Sequence, residues 1–466
     1  MRNQLDLMTR RTFGLSLCGG PLSLMLKAQE AESMPWNQAA TVARVYLAGK
    51  AHWPMPTLDV PAEMKEIEDG LADVQKKHAA NVRLVGGELL KTDAEVRPWL
   101  DKMGDIDGAL IIPLTQPTPA LDTLVNALTV PSLFFYRPYS THAWSAIGGY
   151  QKDGKRIDIV ASSSYGELDP YMRAFRTIRH LRRSKVLVGV AQPEARSGVA
   201  EAYAKYYGTR FKYVDRKDLQ AAFDSADAEQ AQKEAEAFTR AALRVVEPKP
   251  REIYSGVRFY LGLKNLMRAE KANAFTIDCF GTLPAATLPG YPCIAWSKLN
   301  DAGLYGVCEA DLHSTMTQLL VTSYAGVTGF VSDPVFEVSR NEVIHAHCVA
   351  ATRMKGPSEP ASPYIVRSHL ETNEGAVLQV LMPVGETITV ARFAEPAHML
   401  VSTAEVIGYG DNYRGCRSQI RTRVADASGW LHNYSSGLHR VIFYGNHVRT
   451  IEMLGRMLAY RVTREV

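Results

Sequence analysis

The stretch that decides the fold is residues 107–114, which read DGALIIPL. An apolar run of this length, bounded by glycine and proline, is typical of a strand that is buried on both faces of its sheet. Sheets that are covered on both faces are usually parallel, with helices packed on each side. These residues therefore predict a protein of the α/β class.

Shorter apolar runs around this stretch complete a first sheet. Residues 44–47, 82–85 and 132–136 are predicted strands, and segments with helical spacing of apolar residues separate them. Strands that alternate with helices along the chain form a parallel, Rossmann-like sheet. We therefore expect a first α/β lobe over residues 34–183.

A second α/β lobe is expected over residues 184–353. It opens with a predicted strand at residues 185–191, and the Ala-, Glu-, Gln- and Lys-rich segment 224–246 predicts a helix that is exposed on one side. Four further apolar runs predict the remaining strands of this lobe, at residues 275–280, 293–295, 329–332 and 343–347.

The pattern changes after residues 354–363, where three prolines stand among glycine and serine residues. Such a segment continues neither a helix nor a central strand, so it predicts a domain boundary. Beyond it, antiparallel strands are predicted at residues 376–382, 387–393, 399–407 and 417–424, and a terminal helix at residues 450–458. The expected architecture is two Rossmann-like lobes with parallel sheets, followed by an antiparallel β domain over residues 354–466.

The composition excludes several classes of protein. With 466 residues, 46% hydrophobic and 22% charged, the chain is neither disordered nor a coiled coil. A formal net charge of +4 without a long basic tract argues against a nucleic-acid partner. Since no run approaches the roughly 18 apolar residues of a bilayer span, no membrane span is expected. A small molecule is the expected partner.

The N-terminus has the features of an export signal. Residues 9–14 read TRRTFG and precede a weakly apolar run, and the small residues Ala31 and Ser33 offer an imperfect small-x-small cleavage site. This leader, residues 1–33, resembles a twin-arginine signal, which predicts export of the folded protein to the periplasm. The alternatives are a basic leader on a cytoplasmic protein and lipidation at Cys18, where LSLC only half matches a lipobox.

The cysteines indicate neither disulfides nor a zinc site. Removal of the leader would leave Cys279, Cys293, Cys308, Cys348 and Cys416, and an odd number fits no closed disulfide framework. No pair has the CxxC spacing, so a cysteine zinc site is not expected.

Carboxylates follow two predicted strands of the second lobe. Residues 306–311 read GVCEAD, and residues 328–334 read TGFVSDP. Ligands of α/β sheets bind outside the carboxyl ends of strands, which makes Glu309, Asp311 and Asp333 candidates. The alternatives are helix capping for Glu309 and Asp311, and a turn role for Asp333.

Histidines add a third element. His345 and His347 lie in one predicted strand, and His439 begins another near the C-terminus, in the run SGLHRVIFYG. A lone histidine at such a position is more often structural than functional.

Taken together, several segments resemble the L-fucose isomerase family, with the L-arabinose isomerases as more distant relatives. They are GLYGVCEAD at 303–311, TMTQLL at 315–320, FVSD at 330–333 and GLH at 437–439. The resemblance implies two α/β lobes, a C-terminal β domain and interconversion of aldoses and ketoses. It also implies a homo-oligomer, a trimer or hexamer.

The resemblance implies a divalent metal, usually Mn²⁺, held by Glu309, Asp333 and His439. The residue types suit this chemistry, because oxygen ligands with one imidazole favour Mn²⁺ or Mg²⁺ over Zn²⁺ or copper in a thiolate site. Moving a carbonyl group between C1 and C2 through an enediol needs a base and an acid beside the sugar, and Glu309 and Asp333 can supply both.

Two alternatives remain open. Two Rossmann-like lobes also describe non-catalytic periplasmic sugar-binding proteins, although such proteins need neither the β domain nor His439. A diverged family member would keep the metal and act on a modified sugar. Leu438, which stands where the family often has asparagine, and the leader motivate this second alternative.

Overall fold

The computed structural model describes residues 34–50, 53–281 and 284–466, so the predicted leader, residues 1–33, lies outside the described residues. Short 3-10 helices occur at Asp93–Glu95, Ala143–Ala146, Tyr165–Leu168, Ala285–Thr287 and Val338–Arg340. The α-helices are α1 Val60–Lys77, α2 Val96–Met103, α3 Leu121–Ala127, α4 Ile147–Lys152, α5 Asp169–Arg183, α6 Glu194–Tyr207, α7 Arg216–Asp224, α8 Ala228–Ala241, α9 Pro250–Ala269, α10 Cys293–Asp301, α11 Leu312–Ala325, α12 Ala427–Asn433 and α13 Val448–Leu458.

The strands form two parallel sheets, one antiparallel barrel and one small sheet. Their bounds are β1 Ala40–Leu47, β2 Val82–Leu90, β3 Gly108–Pro113, β4 Ser132–Tyr136, β5 Ile157–Ala161, β6 Lys185–Gly189, β7 Arg210–Val214, β8 Arg244–Val245, β9 Ala274–Ile277, β10 Tyr305–Cys308, β11 Phe330–Glu337, β12 Glu342–His347, β13 Tyr364–Arg367, β14 Val377–Val380, β15 Thr387–Glu395, β16 His398–Tyr409, β17 Ser418–Arg423, β18 Arg440–Tyr444 and β19 Arg461–Arg464.

The stretch DGALIIPL forms the central strand of the first sheet. The strand order is β2-β1-β3-β4-β5, all pairs are parallel, and every residue of β3 is buried. Glycine is required at the start of β3, because a Cβ at Gly108 would lie 2.3 Å from the ring of Phe175 on α5. This close approach packs the helix onto the sheet, as the sequence predicted.

The second parallel sheet has the order β10-β9-β6-β7. The predicted strand at residues 293–295 is wrong, because Cys293 instead begins helix α10 directly after Pro292. Seven of the nine residues of α10 are buried, and a short apolar run by itself does not distinguish a strand from a buried helix. The helix predicted at 224–246 is shorter than expected: α8 spans Ala228–Ala241, and Arg244–Val245 instead form β8, which pairs with β13.

The C-terminal region is a six-stranded antiparallel barrel with the order β15-β18-β11-β12-β17-β16, closed by the pairing of β15 with β16. The fold class is therefore as predicted. The assignment of residues 329–332 and 343–347 to the second parallel sheet is wrong, since β11 and β12 belong to this barrel. Their apolar runs predict strands but not pairing partners, and β11 pairs with β18 from the far end of the chain. The division of the chain at residue 354 stays a prediction.

The barrel is attached to both lobes. Helix α11 of the second lobe packs on the barrel, where the Phe393 backbone N–H donates to Thr317 Oγ1 at 2.8 Å. Helix α13 reaches the first lobe, where Arg456 Nε donates to Asp158 Oδ1 at 2.8 Å. The carboxyl end of β10 and the start of β18 consequently meet at the junction of the second lobe and the barrel.

None of the helices within residues 34–50, 53–281 and 284–466 has the length and apolar character that crossing a bilayer requires.

Candidate active site

The site is built on a strained turn after β10. Glu309 and Ala310 have φ angles of +61° and +49°, a conformation that residues other than glycine rarely adopt. The Ala310 N–H donates to the Ile277 carbonyl oxygen at 3.1 Å, which fixes the turn to the neighbouring strand β9. Backbone strain of this kind is concentrated at functional sites.

Asp311 caps the helix that follows and also holds two side chains from the barrel. It accepts the Ser314 N–H at 3.1 Å, as the capping alternative expected. The same buried carboxylate accepts from Arg392 Nη1 at 2.6 Å and lies 2.8 Å from His439 Nδ1. Capping and site assembly are therefore combined in one residue.

The orientation of His439 follows from this contact. When its ring is neutral, His439 keeps its proton on Nδ1, which donates to Asp311, and its Nε2 lone pair faces the two carboxylates. The distance from His439 Nε2 is 3.4 Å to Glu309 Oε2 and 3.3 Å to Asp333 Oδ1. The structure thus brings together Glu309, Asp333 and His439, the three residues predicted from sequence. Their role as metal ligands stays a prediction.

A fourth side chain, His347, was not singled out as a ligand by its sequence position. His347 is the last residue of β12, and its ring centroid lies 5.4 Å from that of His439, so it faces the same site. His347 Nε2 lies 3.7 Å from Glu309 Oε1. Its Nδ1 accepts the Cys348 N–H at 2.9 Å, and neutral His347 therefore carries its proton on Nε2. In their neutral forms, His347 therefore presents a hydrogen-bond donor to the site and His439 presents a lone pair.

Unsatisfied atoms indicate that the site is built to hold a ligand. His439 Nε2, His347 Nε2 and Asp333 Oδ1 are buried and have no hydrogen-bond partner within the described part of the chain. Buried polar atoms are nearly always hydrogen-bonded, so three exceptions in one place need an explanation. The potential ligand atoms of Glu309, His347 and His439 lie within 4.8 Å of one another. Asp333 is not in this group of three, but its Oδ1 lies 3.3 Å from His439 Nε2, so two carboxylates and the His439 imidazole form a donor set that fits a hard divalent cation.

The environments of the two carboxylates shift their pKa values in opposite directions. Burial raises the pKa of Asp333 to about 6, although the His439 charge opposes this effect. The neighbouring His439 imidazolium lowers the pKa of Glu309 against the effect of burial. Two carboxylates with separated pKa values can act as an acid and a base at the same pH.

The two histidines also differ in charge. Burial alone would lower the pKa of His439. The hydrogen bond to Asp311 and the charges of Asp311 and Glu309 outweigh burial and raise the pKa of His439 to about 10. Burial and the charge on His439 lower the pKa of His347 to about 4. Near neutral pH, the metal-free site therefore contains an imidazolium at His439 and a neutral ring at His347.

A cavity of about 250 Å³ gives access to Glu309 and His439, and its lining also includes Arg196, His313 and Leu438. A larger cleft, of about 530 Å³, lies at the carboxyl edge of the first sheet. In that cleft Arg137 forms ion pairs with Glu63 and Glu66, so its charge is already compensated within the protein. The smaller cavity is consequently the better candidate for chemistry.

Asp311→Asn is expected to lower the pKa of His439 from about 10 toward its ordinary value of 6.5, because an amide keeps the shape of the carboxylate but removes its charge. NMR titration of the histidine ring protons in the metal-free protein measures this shift. Asp426→Asn is the matched control, since Asp426 caps α12 in the same way and should leave His439 unchanged. A pKa of His439 that stays near 10 in Asp311→Asn would contradict the assignment.

Comparison with known proteins adds a distant similarity. No protein-family model matches the chain. Two curated proteins, the sulfoquinovose isomerases of Priestia aryabhattai and Priestia megaterium, are each 24% identical to it over 213 residues. The matched region covers 43% of this chain and 46% of each relative, so the chain spans less than half the length of these relatives. The similarity is partial, and it is to a sugar isomerase.

Proposed function

We propose that the protein is a metal-dependent aldose–ketose isomerase of the L-fucose/L-arabinose isomerase type. The observation that carries this proposal is the convergence of Glu309, Asp333 and His439 on one buried point with unsatisfied atoms. The distant similarity to sulfoquinovose isomerases supports the reaction class. It does not extend to the particular sugar.

Glu309, Asp333 and His439 would hold the cation, Mn²⁺ or another divalent ion such as Mg²⁺. When bound, the cation would polarise the sugar carbonyl and hydroxyl oxygens and stabilise the negative charge that develops on them. Asp311 keeps the proton of His439 on Nδ1, and Arg392 compensates the charge of Asp311. These two residues orient the ring of His439 and do not contact the sugar in this scheme.

The proton transfers are assigned to the two carboxylates. In the first step one carboxylate removes the proton from C2 of the open-chain aldose, while O1 gains a proton, which gives an enediol. In the second step the hydroxyl proton of O2 leaves and C1 receives a proton, which gives the ketose. Glu309, whose pKa is lowered, is ionised and suited to be the base. Asp333, with a pKa of about 6, can carry a proton near neutral pH.

His347 is proposed to bind a hydroxyl group of the sugar. Its Nε2–H is buried, points toward Glu309 and has no acceptor at hydrogen-bond distance among the described residues. A sugar hydroxyl in the cavity would satisfy this donor and would hold the reacting carbons beside the carboxylates.

The experiment is a panel of aldoses incubated with the purified full-length protein, with and without added Mn²⁺. L-Fucose and L-arabinose represent the family that the motifs resemble, and sulfoquinovose represents a modified sugar and the named relatives. Ketose formation that depends on Mn²⁺ supports the proposal. Absence of turnover on every sugar, together with stabilisation by a free sugar without metal, would favour a non-catalytic binding protein.

Mn²⁺ affinity is expected to rise with pH. Because the pKa of His439 is about 10, the cation must displace a proton from Nε2, which makes affinity increase about tenfold per pH unit below that value. Below about pH 6 the slope becomes steeper, since Asp333 is then protonated as well. Calorimetry in buffers of different ionisation enthalpy should detect about one proton released per Mn²⁺ at pH 8. Affinity that is constant between pH 7 and 9 would contradict the assignment of His439.

Export and assembly are further parts of the proposal. The twin-arginine-like leader suggests a periplasmic protein, and the alternative is a cytoplasmic one. Changing Arg10 and Arg11 together to lysine should retain the protein in the cytoplasm, as measured by cell fractionation. Unchanged export of this variant would exclude the twin-arginine route.

The resemblance also suggests a trimer or hexamer, which light scattering after size exclusion measures.

A further inference from the structure

Four buried cysteines lie together behind the candidate active site. We call Cys279, Cys293, Cys308 and Cys348 the thiol cluster. Cys279 follows β9, Cys293 begins α10, Cys308 ends β10 and Cys348 follows β12. The Sγ–Sγ distance is 3.4 Å between Cys279 and Cys308 and 3.7 Å between Cys293 and Cys348. Sulfurs that are far apart in sequence therefore meet where the second lobe joins the barrel.

Part of the cluster has the geometry of a metal site. The potential ligand atoms of Cys293, Cys348 and His369 all lie within 4.8 Å of one another. Two thiolates bound at about 2.3 Å to a tetrahedral cation lie about 3.8 Å apart. The Cys293–Cys348 distance of 3.7 Å matches this separation without any movement of the chain.

The third donor, His369, is already oriented by a carboxylate. His369 Nδ1 lies 3.2 Å from Glu371 Oε2 and 3.4 Å from Thr372 Oγ1. Because Nδ1 faces these two oxygens, we assign Nε2 as the metal-binding nitrogen. A carboxylate behind a coordinating histidine is the usual arrangement around protein-bound zinc, because it fixes the ring and raises its basicity. Cys308 Sγ, also within 4.8 Å of Cys348 Sγ, is available as a further donor.

We propose that Cys293, Cys348 and His369 form a second metal site, which binds a thiophilic d¹⁰ cation of the Zn²⁺ class. Binding releases the two thiol protons to solvent, so the cation is held by two thiolates and one neutral imidazole. The fourth position is filled by Cys308 or by water. The ion links α10 of the second lobe to the end of β12 in the barrel and to the loop that follows β13.

The two metal sites select different ions. The candidate active site offers two carboxylates and an imidazole, which suit hard cations, whereas the second site offers sulfur, which suits soft ones. They are adjacent along the chain, since Cys348 follows His347. An ion in the second site would therefore brace the strand that carries His347. This proposal stands on the geometry of the sulfurs and of His369 and does not depend on isomerase activity.

The test is a titration of the reduced, metal-free, full-length protein with Co²⁺, which substitutes for Zn²⁺ and gives absorption bands when thiolates bind it. The expected result is one equivalent with thiolate-to-cobalt charge-transfer bands, which Zn²⁺ displaces. Co²⁺ at the carboxylate site gives no such bands, so Glu309→Gln should retain them. Absence of the bands in the wild-type protein would overturn the proposal.

Variants locate the site within the cluster. Cys293→Ser and Cys348→Ser should each abolish the charge-transfer bands or weaken binding by more than about tenfold, since a first ligand is lost. Glu371→Gln should weaken binding about 10- to 100-fold, as is typical for a carboxylate behind a metal-bound histidine. Cys279→Ser is the matched control, because Cys279 belongs to the cluster but not to the three-ligand set. Equal loss in this control would contradict the assignment.

Disulfide formation is the competing result for the same geometry. Two thiols would lose two protons and two electrons to an oxidant such as a peroxide, and the Cys279–Cys308 pair is the closest. Peptide mass spectrometry of the protein, purified without reductant and alkylated before digestion, distinguishes the two results. A stoichiometric disulfide that includes Cys293 or Cys348 would overturn the metal site, and free thiols that Zn²⁺ protects from alkylation would support it.

Discussion

Replacement of Glu309 by glutamine is expected to reduce turnover by at least about 10²- to 10⁴-fold, because the proposed base loses its negative charge. Weaker binding of the cation would add to this loss. The fold should remain intact, since glutamine is nearly isosteric and Glu309 faces a solvent-accessible cavity. Ketose formation from the best aldose, measured with saturating Mn²⁺, gives the effect on turnover, and a melting curve gives the effect on the fold.

The matched control for this variant is Glu405→Gln. Glu405 lies on β16 and makes an exposed ion pair with Arg423, and exposed pairs contribute little to stability. Turnover and melting temperature should both stay close to those of the wild-type protein. If Glu309→Gln keeps more than half of the wild-type turnover, Glu309 only shapes the turn before α11, and the catalytic group lies elsewhere.

Glu465→Gln is expected to cost about 3 to 5 kcal/mol of stability, the range for a buried ion pair that loses one partner. Arg440, next to His439, is fully buried and donates from Nε to Glu465 Oε2 at 2.8 Å. Without the carboxylate its guanidinium keeps only neutral acceptors, such as the carbonyl oxygen of Ser435. Calorimetric melting of the metal-free protein should therefore show a decrease of several degrees.

An exposed pair nearby provides the comparison for Glu465→Gln. Arg464 and Glu452 are 2.7 Å apart but largely solvated, so Glu452→Gln should change stability by less than about 1 kcal/mol. The two variants make the same chemical change in neighbouring parts of the structure and differ in burial. Similar melting temperatures for both would show that Arg440 finds other partners, and the anchoring role assigned to Glu465 would be wrong.

The spacing of apolar residues along the sequence correctly predicted individual strands and the terminal helix. The terminal helix expected at residues 450–458 is α13, which spans Val448–Leu458. The buried stretch at 107–114 correctly predicted the central strand of a parallel sheet. Such signals are local, because the period of apolar residues reports directly which face of an element is covered.

The candidate site was only partly predictable. Motif resemblance selected Glu309, Asp333 and His439, and the fold brings them together. Nothing in the sequence indicated that Arg392 would bind Asp311, or that His347 would face Glu309. These contacts depend on the β11–β12 pairing and on the packing of β15 against α11, which are not local.

By itself, the sequence determined the α/β class, most of the strands, and three residues of the candidate site. Only the tertiary structure decided that β11 and β12 join the barrel, and that cysteines without metal-binding spacing meet in one cluster. The physical reason is the same for both. Periodicity and residue type act over a few positions, whereas strand pairing and side-chain convergence depend on contacts between segments separated by up to a hundred residues or more.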